Sequence, residues 1–72
     1  MTSTSVLSSL DARDIATVVL NRPEVGNAYN GELIEALLAA LSQAADTAGL
    51  RALVVRGNGR HFQAGADLKW VG

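Results

Sequence analysis

Most of the residues in this chain whose types and spacing could do chemistry lie in one stretch, Arg60-His-Phe-Gln-Ala-Gly-Ala-Asp-Leu-Lys-Trp70. There Gly65 stands between two alanines with a carboxylate, Asp67, directly behind them. Taken alone, Ala-Gly-Ala-Asp is a tight turn whose Asp67 caps a following helix or anchors a loop. His61 is the only histidine and follows a turn; a lone loop histidine is a surface residue, and no second ligand points to a metal, so no metal site is expected. Gly57-x-Gly59 opens like a dinucleotide fingerprint, but Phe62 stands where the third glycine would fall. With no cysteine, disulfides, thiolate catalysis and thiolate metal sites are all excluded.

The composition narrows the partners further. Six basic residues against seven acidic ones, a net charge of -1, leave no basic run to neutralise phosphates, so nucleic acid is not expected to bind. The start, Met-Thr-Ser-Thr-Ser-Val-Leu-Ser-Ser-Leu, has no basic leader region, and no window approaches the roughly 18 apolar residues of a membrane span. No membrane partner is expected, and a soluble, cytoplasmic protein is. At 72 residues the chain is one domain at most, of a size that buries only about 60% of the surface its unfolded chain exposes. With one Trp, one Tyr and one Phe, its core must be built from Leu, Val, Ile and Ala.

The elements that must position the Arg60–Trp70 segment follow from periodicity. Ser5 to Leu10 and Ile15 to Leu20 are short extended runs separated by Asp11-Ala12-Arg13-Asp14, which predicts a hairpin. The second run, Ile-Ala-Thr-Val-Val-Leu, has the composition of a strand covered on both faces, and Pro23 blocks its continuation into a loop over 21–29. From Asn30 the period becomes helical. Leu33, Leu37 and Leu41 recur at four-residue spacing, Ile34 and Leu38 form a second row, and Ala44, Ala45 and Ala48 extend the stripe. Asn30 suits an N-cap, Glu32 and Glu35 the positive end of the helix dipole, and Gly49 a C-terminal stop. Asn30-Gly31 could also mark a hairpin turn, but the long helical pattern behind it favours a helix start. Ala52 to Arg56 then predicts a second buried strand, ended by Gly57-Asn58-Gly59, and Asp67 to Val71 resembles the first turn of another helix. Val18, Val19, Leu20, Leu33, Leu37, Leu41, Leu53, Val54 and Val55 are the expected core. Strand, helix, strand predicts a parallel pair joined by a right-handed crossover, with the loops after both strands on one edge, where open α/β sheets bind ligands.

Periodicity goes no further than that. The residues themselves go further by likeness: Leu-Asn-Arg-Pro-Glu-Val-Gly-Asn-Ala-Tyr-Asn-Gly-Glu-Leu, followed by Ala-Leu-Val-Val-Arg-Gly-Asn-Gly-Arg-His-Phe-Gln-Ala-Gly-Ala-Asp-Leu, resembles the N-terminal part of the enoyl-CoA hydratase/isomerase (crotonase) family. The resemblance covers about Val18 to Lys69 and implies a truncated crotonase-like α/β unit: hairpin, helix, parallel strand and the start of a next helix. Residues 1–72 would then be the N-terminal portion of an acyl-CoA-binding domain. In that family the backbone N–H at the position of Ala66 is one of two donors that hold the thioester oxygen of an acyl-CoA, and the neighbouring main chain lies along the coenzyme. The resemblance therefore makes Ala66 the catalytic position, and Glu24, Val25, Ala28, Ala64, Gly65, Ala66, Asp67 and Leu68 the residues that bind coenzyme A, which enters as part of the substrate; no separate cofactor is implied. Small residues let the main chain approach the ligand, glycine takes dihedrals that other residues resist, and a residue at a helix start presents an unpaired N–H. Tyr29 and Trp70 could line an acyl channel or serve only in packing.

The resemblance also implies what this stretch does not carry. The family's second oxyanion donor and its catalytic glutamates belong to later segments, and Glu24, Glu32 and Glu35 fall in none of its proton-transfer motifs. An amino-terminal part of a homo-oligomeric (trimeric or hexameric) enzyme that hydrates 2-enoyl-CoA is thus one expectation. The other is a non-catalytic chain that at most binds coenzyme A or associates with a full-length paralogue through a sheet edge.

Overall fold

The computed structural model describes residues 5–63 and 65. Strand β1 (Val6–Leu10) and strand β2 (Ile15–Leu20) form the expected hairpin; a single 3₁₀ turn (Pro23–Val25) leads to helix α1 (Gly31–Ala45), and strand β3 (Ala52–Gly57) follows. The sheet order is β1-β2-β3. β1 pairs antiparallel with β2, and β3 pairs parallel with β2 from Ile15↔Ala52 to Leu20↔Gly57.

The hairpin turn is organised by one carboxylate. Asp11 accepts from the backbone N–H groups of Arg13 (2.8 Å) and Ile15 (3.2 Å) and from the Arg13 guanidinium (2.8 Å), while Asp14 takes a left-handed φ of 61° to close the turn. The Arg13 side-chain hydrogen bond first, and the Ile15 N–H next, hold the Asp11 carboxyl below its ordinary range.

β2 is the central strand. Its Ala16, Val18, Val19 and Leu20 are all buried, as an apolar, β-branched run between two neighbours should be. Side chains alternate across a sheet, so the register places Val6, Ser8 and Leu10 on the same face as Leu20, Val18 and Ala16. Helix α1 covers that face, resting mainly on β1 and β2. Its first turn is set as expected: Asn30 is extended (φ -134°), and its side-chain oxygen accepts from the Leu33 N–H at 2.9 Å, which decides the N-cap over the hairpin turn. Leu33, Ala40 and Ala44 are buried, Leu37 and Leu41 half-buried, and Glu35 exposed.

Two expectations are corrected. The helix stops at Ala45, ahead of Gly49, because the Thr47 hydroxyl donates to the Gln43 carbonyl (2.9 Å) and the Thr47 N–H to the Ala44 carbonyl (3.1 Å). Gly49, at φ 78°, serves the turn beyond, and Ala45 and Ala48 are exposed. β3 is also not in the core: Leu53, Val54 and Val55 are 41%, 44% and 39% exposed. α1 lies over the hairpin, and among the described residues β3 has β2 as its only strand neighbour, so neither its faces nor its outer edge are closed.

Two outcomes test this packing. Leu33 is 2% and Leu38 60% exposed; Leu33→Ala should cost about 2–5 kcal/mol and Leu38→Ala within about 0.5 kcal/mol, read by urea unfolding. A lowered carboxyl pKa stabilises the fold above the ordinary carboxylate range, and that contribution is lost as the pH falls through the lowered value. Asp11→Asn should therefore flatten the acid limb of the stability curve, and an unchanged limb would remove Asp11 from the account.

Candidate functional site

Because Leu20 and Gly57 are paired at the ends of parallel strands, the loops 21–30 and 58–63 leave the sheet side by side. The ladder continues one step past the strands, with the Asn58 N–H donating to the Leu20 carbonyl (2.9 Å) and the Asn58 amide to Asn21 Oδ1 (2.9 Å). The first loop then turns tightly. Gly26 and Asn27 both adopt left-handed φ values, 62° and 58°, which asparagine tolerates better than most residues.

Asn27 is completely buried, and its side chain is the junction of the two loops. Its Oδ1 accepts from the Arg22 N–H (2.7 Å), and its Nδ2 donates to the carbonyls of Asn58 (2.8 Å) and His61 (2.7 Å). Its own N–H donates to the Arg22 carbonyl (2.8 Å). Both amide hydrogens are used, as a buried polar group requires. The second loop must come close for this to happen, and the glycines permit it. A Cβ on Gly57 would lie 2.6 Å from the Phe62 carbonyl oxygen and 2.8 Å from Asn27 Nδ2, and one on Gly59 (φ 87°) would lie 2.8 Å from Pro23 Cβ. The Gly57-x-Gly59 pair is thus a packing device between two loops, and the fold uses the His61 carbonyl while its imidazole stays exposed.

The end of the second loop is held by Gln63. Its Oε1 accepts from the Gly65 N–H (2.9 Å), and its Nε2 donates to the carbonyls of Gly65 (3.0 Å) and Asn27 (3.3 Å). The Gly65 carbonyl also accepts from the Tyr29 N–H at 2.8 Å. Gly65 sits at φ 103°, a conformation that favours glycine, and no atom among the described residues comes within 4 Å of the position a Cβ would take. The requirement for glycine there is conformational.

Of the binding residues expected from the sequence, Glu24 and Val25 lie exposed in the 3₁₀ turn, Ala28 is buried, and Gly65 is half-buried beside Tyr29. Ala64, Ala66, Asp67 and Leu68, with Trp70, lie outside the described residues. The Arg22 guanidinium donates to the Ala28 carbonyl (2.5 Å) and closes the first loop. Tyr29, Leu20, Leu33, Ile34, Leu37 and Gln63 line an apolar groove of about 300 Å³. Among the described residues no group of His, Asp or Glu converges as metal ligands, and no helix is long and apolar enough to cross a membrane. The sequence marked Gly57 only as a strand end and an incomplete dinucleotide fingerprint, and it did not single out the side chains of Asn27 and Gln63. The adjacent turn formers Gly26-Asn27 and a glycine at the end of an apolar strand were the available signals.

This loop pair on a mixed sheet has counterparts. The family model for enoyl-CoA hydratase/isomerase matches residues 11–72. The chain belongs to the enoyl-CoA hydratase/isomerase family. It is 46% identical over 57 residues to a probable enoyl-CoA hydratase of Mycobacterium tuberculosis, covering 79% of this chain and 23% of that protein. It is also 39% identical over 54 residues to a trans-2-decenoyl-[acyl-carrier-protein] isomerase of Streptococcus mutans, covering 75% of this chain and 20% of that one. The crystal structure of a probable enoyl-CoA hydratase from Mycobacterium thermoresistibile superposes with a TM-score of 0.89 at 41% identity, over 94% of this chain and 27% of the other. The fold is the crotonase-like α/β unit read from the sequence, and the chain spans about a quarter of the length of the relatives it matches.

The loop junction makes a direct prediction. Asn27→Ala leaves the Arg22 N–H and two carbonyls without partners, at about 1–3 kcal/mol for each buried group, and Gly57→Ala drives a methyl into backbone. Both variants should lose amide dispersion in NMR spectra or unfold at clearly lower urea, whereas Ala45→Ser, on an exposed position, should not.

Proposed function

We propose that this chain forms the coenzyme A-facing part of an acyl-CoA enzyme of its family, most readily one that hydrates a 2-enoyl-CoA. Residues 24, 25 and 28 and residues 64–68 hold the ligand, and the Ala66 N–H donates to the thioester oxygen. The observation that carries this reading is the pair of loops bound to each other at the carboxyl edge of the sheet, ending in Gly65 at φ 103° with its carbonyl tied to Tyr29. Hydration passes through an enolate-like thioester anion, so a main-chain donor at the oxygen stabilises the transition state more than the ground state. Loss of one such donor costs roughly 2.7–4 kcal/mol of barrier stabilisation.

Proton transfer is a separate requirement, and the glutamates of this chain are placed for other tasks. Glu24 is exposed, Glu35 lies on the outer face of α1, and Glu32 accepts from the buried Ser5 hydroxyl (3.2 Å). These 72 residues then supply one oxyanion donor and no general acid or base. In a complete family enzyme of this kind, cytoplasmic and homo-oligomeric as a trimer or hexamer, the remaining groups come from other segments. A second reading is favoured by the exposed Leu53, Val54 and Val55: a non-catalytic chain that binds coenzyme A weakly or associates with a larger paralogue through β3.

Titration with crotonyl-CoA tests both. The purified chain should show no turnover, weak binding without micromolar saturation, and amide NMR shifts at 24–28 and 63–68 but not at the 11–14 turn. Turnover comparable to a complete hydratase would overturn the division of labour proposed here. Shifts confined to other regions would overturn the site.

A further inference from the structure

We infer that Gln63 is a positioning residue whose side-chain amide orients the N–H that follows Gly65, an inference that rests on the oxyanion reading above. The argument begins with the peptide bond. It is planar and trans, so the carbonyl of one residue and the N–H of the next lie in one plane and point in opposite directions. Whatever pins the Gly65 carbonyl therefore also fixes the plane of the peptide bond that follows Gly65. Among the described residues two donors pin that carbonyl: the Tyr29 N–H at 2.8 Å and Gln63 Nε2 at 3.0 Å. The second Nε2 hydrogen goes to the Asn27 carbonyl (3.3 Å), and Oε1 accepts from the Gly65 N–H (2.9 Å). One side-chain amide thus grips both ends of Gly65 and ties it to the buried asparagine that joins the loops.

This grip matters because glycine is otherwise the residue least committed to one dihedral pair. Gly65 at φ 103° has no side chain to hold it there, and the Tyr29 hydrogen bond alone leaves the peptide free to rock about that single contact. The amide is matched to the task. A carboxylate at position 63 would keep the acceptor for the Gly65 N–H but turn an oxygen towards two carbonyls, and an alanine would remove both contacts. Gln63 is itself exposed, so its substitution removes little packing, and its effect should be on the direction of one peptide plane.

The test uses the 72-residue chain, with Gln63→Ala and Gln63→Glu. In weakly aligned, ¹⁵N-labelled protein, the Ala66 N–H residual dipolar coupling should fit a single direction opposite to the Gly65 carbonyl. In both variants it should fall at least twofold towards an averaged value while the couplings of β2 stay unchanged. An unchanged Ala66 coupling in both variants, or equal losses in β2, overturns the positioning role. Crotonyl-CoA labelled with ¹³C at the thioester carbonyl supplies the second arm. Its carbonyl resonance should move downfield with the native chain and not with Gln63→Ala, while amide shifts at 24–28 persist in both. Downfield movement that survives Gln63→Ala overturns the inference even if the coupling changes. No movement with the native chain overturns the oxyanion reading instead, and the dipolar couplings still decide whether Gln63 orients the peptide.

Discussion

The buried amide of Asn27 is the interaction on which the rest of this structure depends. It holds together two loops that leave parallel neighbours, bonding Arg22 on one and both Asn58 and His61 on the other. Its cost is high if any partner is missing, because an unpaired polar group at zero exposure has no water to turn to. The surrounding sequence answers that demand: glycine at 57 removes the atom that would collide with the amide, and glycine at 59 lets the chain pass over Pro23. The same junction reaches outward through Gln63, whose amide bonds the Asn27 carbonyl and then Gly65. A buried residue, through its own main-chain carbonyl, is in this way linked by the Gln63 amide to the main chain at the rim.

The distribution of apolar surface is uneven, and the unevenness has a plain geometric cause. β2 has a strand on each side and a helix above it, so Val18 is 1% exposed. β3 also carries a run of aliphatic residues, Ala52 to Val55, paired in parallel with β2, yet Val55, the partner of Val18, is 39% exposed. Burial of an aliphatic side chain contributes about 1.5–3 kcal/mol only when something covers it. A strand apolar on both faces belongs inside a sheet covered by other elements, and family members with crotonase-like folds are roughly four times longer than this chain.

The proposed site relies on main chain. Backbone donors have no side-chain identity, so the chemistry at such a site is set by conformation, and conformation is set by the residues around it. Here that means a left-handed pair at Gly26 and Asn27, a glycine at φ 103°, and a tyrosine N–H and a glutamine amide closing on one carbonyl. The apolar groove is lined in part by Tyr29 and Gln63, the two residues that bond the Gly65 carbonyl.

Local signals in the sequence determined the hairpin, the Asn30 cap and the central strand, because each is decided by neighbours a few residues apart or by a period that repeats within one element, and the order strand, helix, strand implied the parallel pairing. The likeness carried by Leu-Asn-Arg-Pro and Phe-Gln-Ala-Gly-Ala-Asp named the family for the same reason: the motif is written in consecutive residues. Tertiary structure alone decided that Leu53, Val54 and Val55 lie open, since burial depends on what stands opposite, and α1 stands over the hairpin. It also decided that Thr47 ends the helix before Gly49 and that Asn27, among six asparagines and glutamines of similar outward character, carries the loop junction. A hydrogen bond between residues 27 and 58 or 61 has no periodicity and no local pattern; it exists only once two strands have been laid side by side.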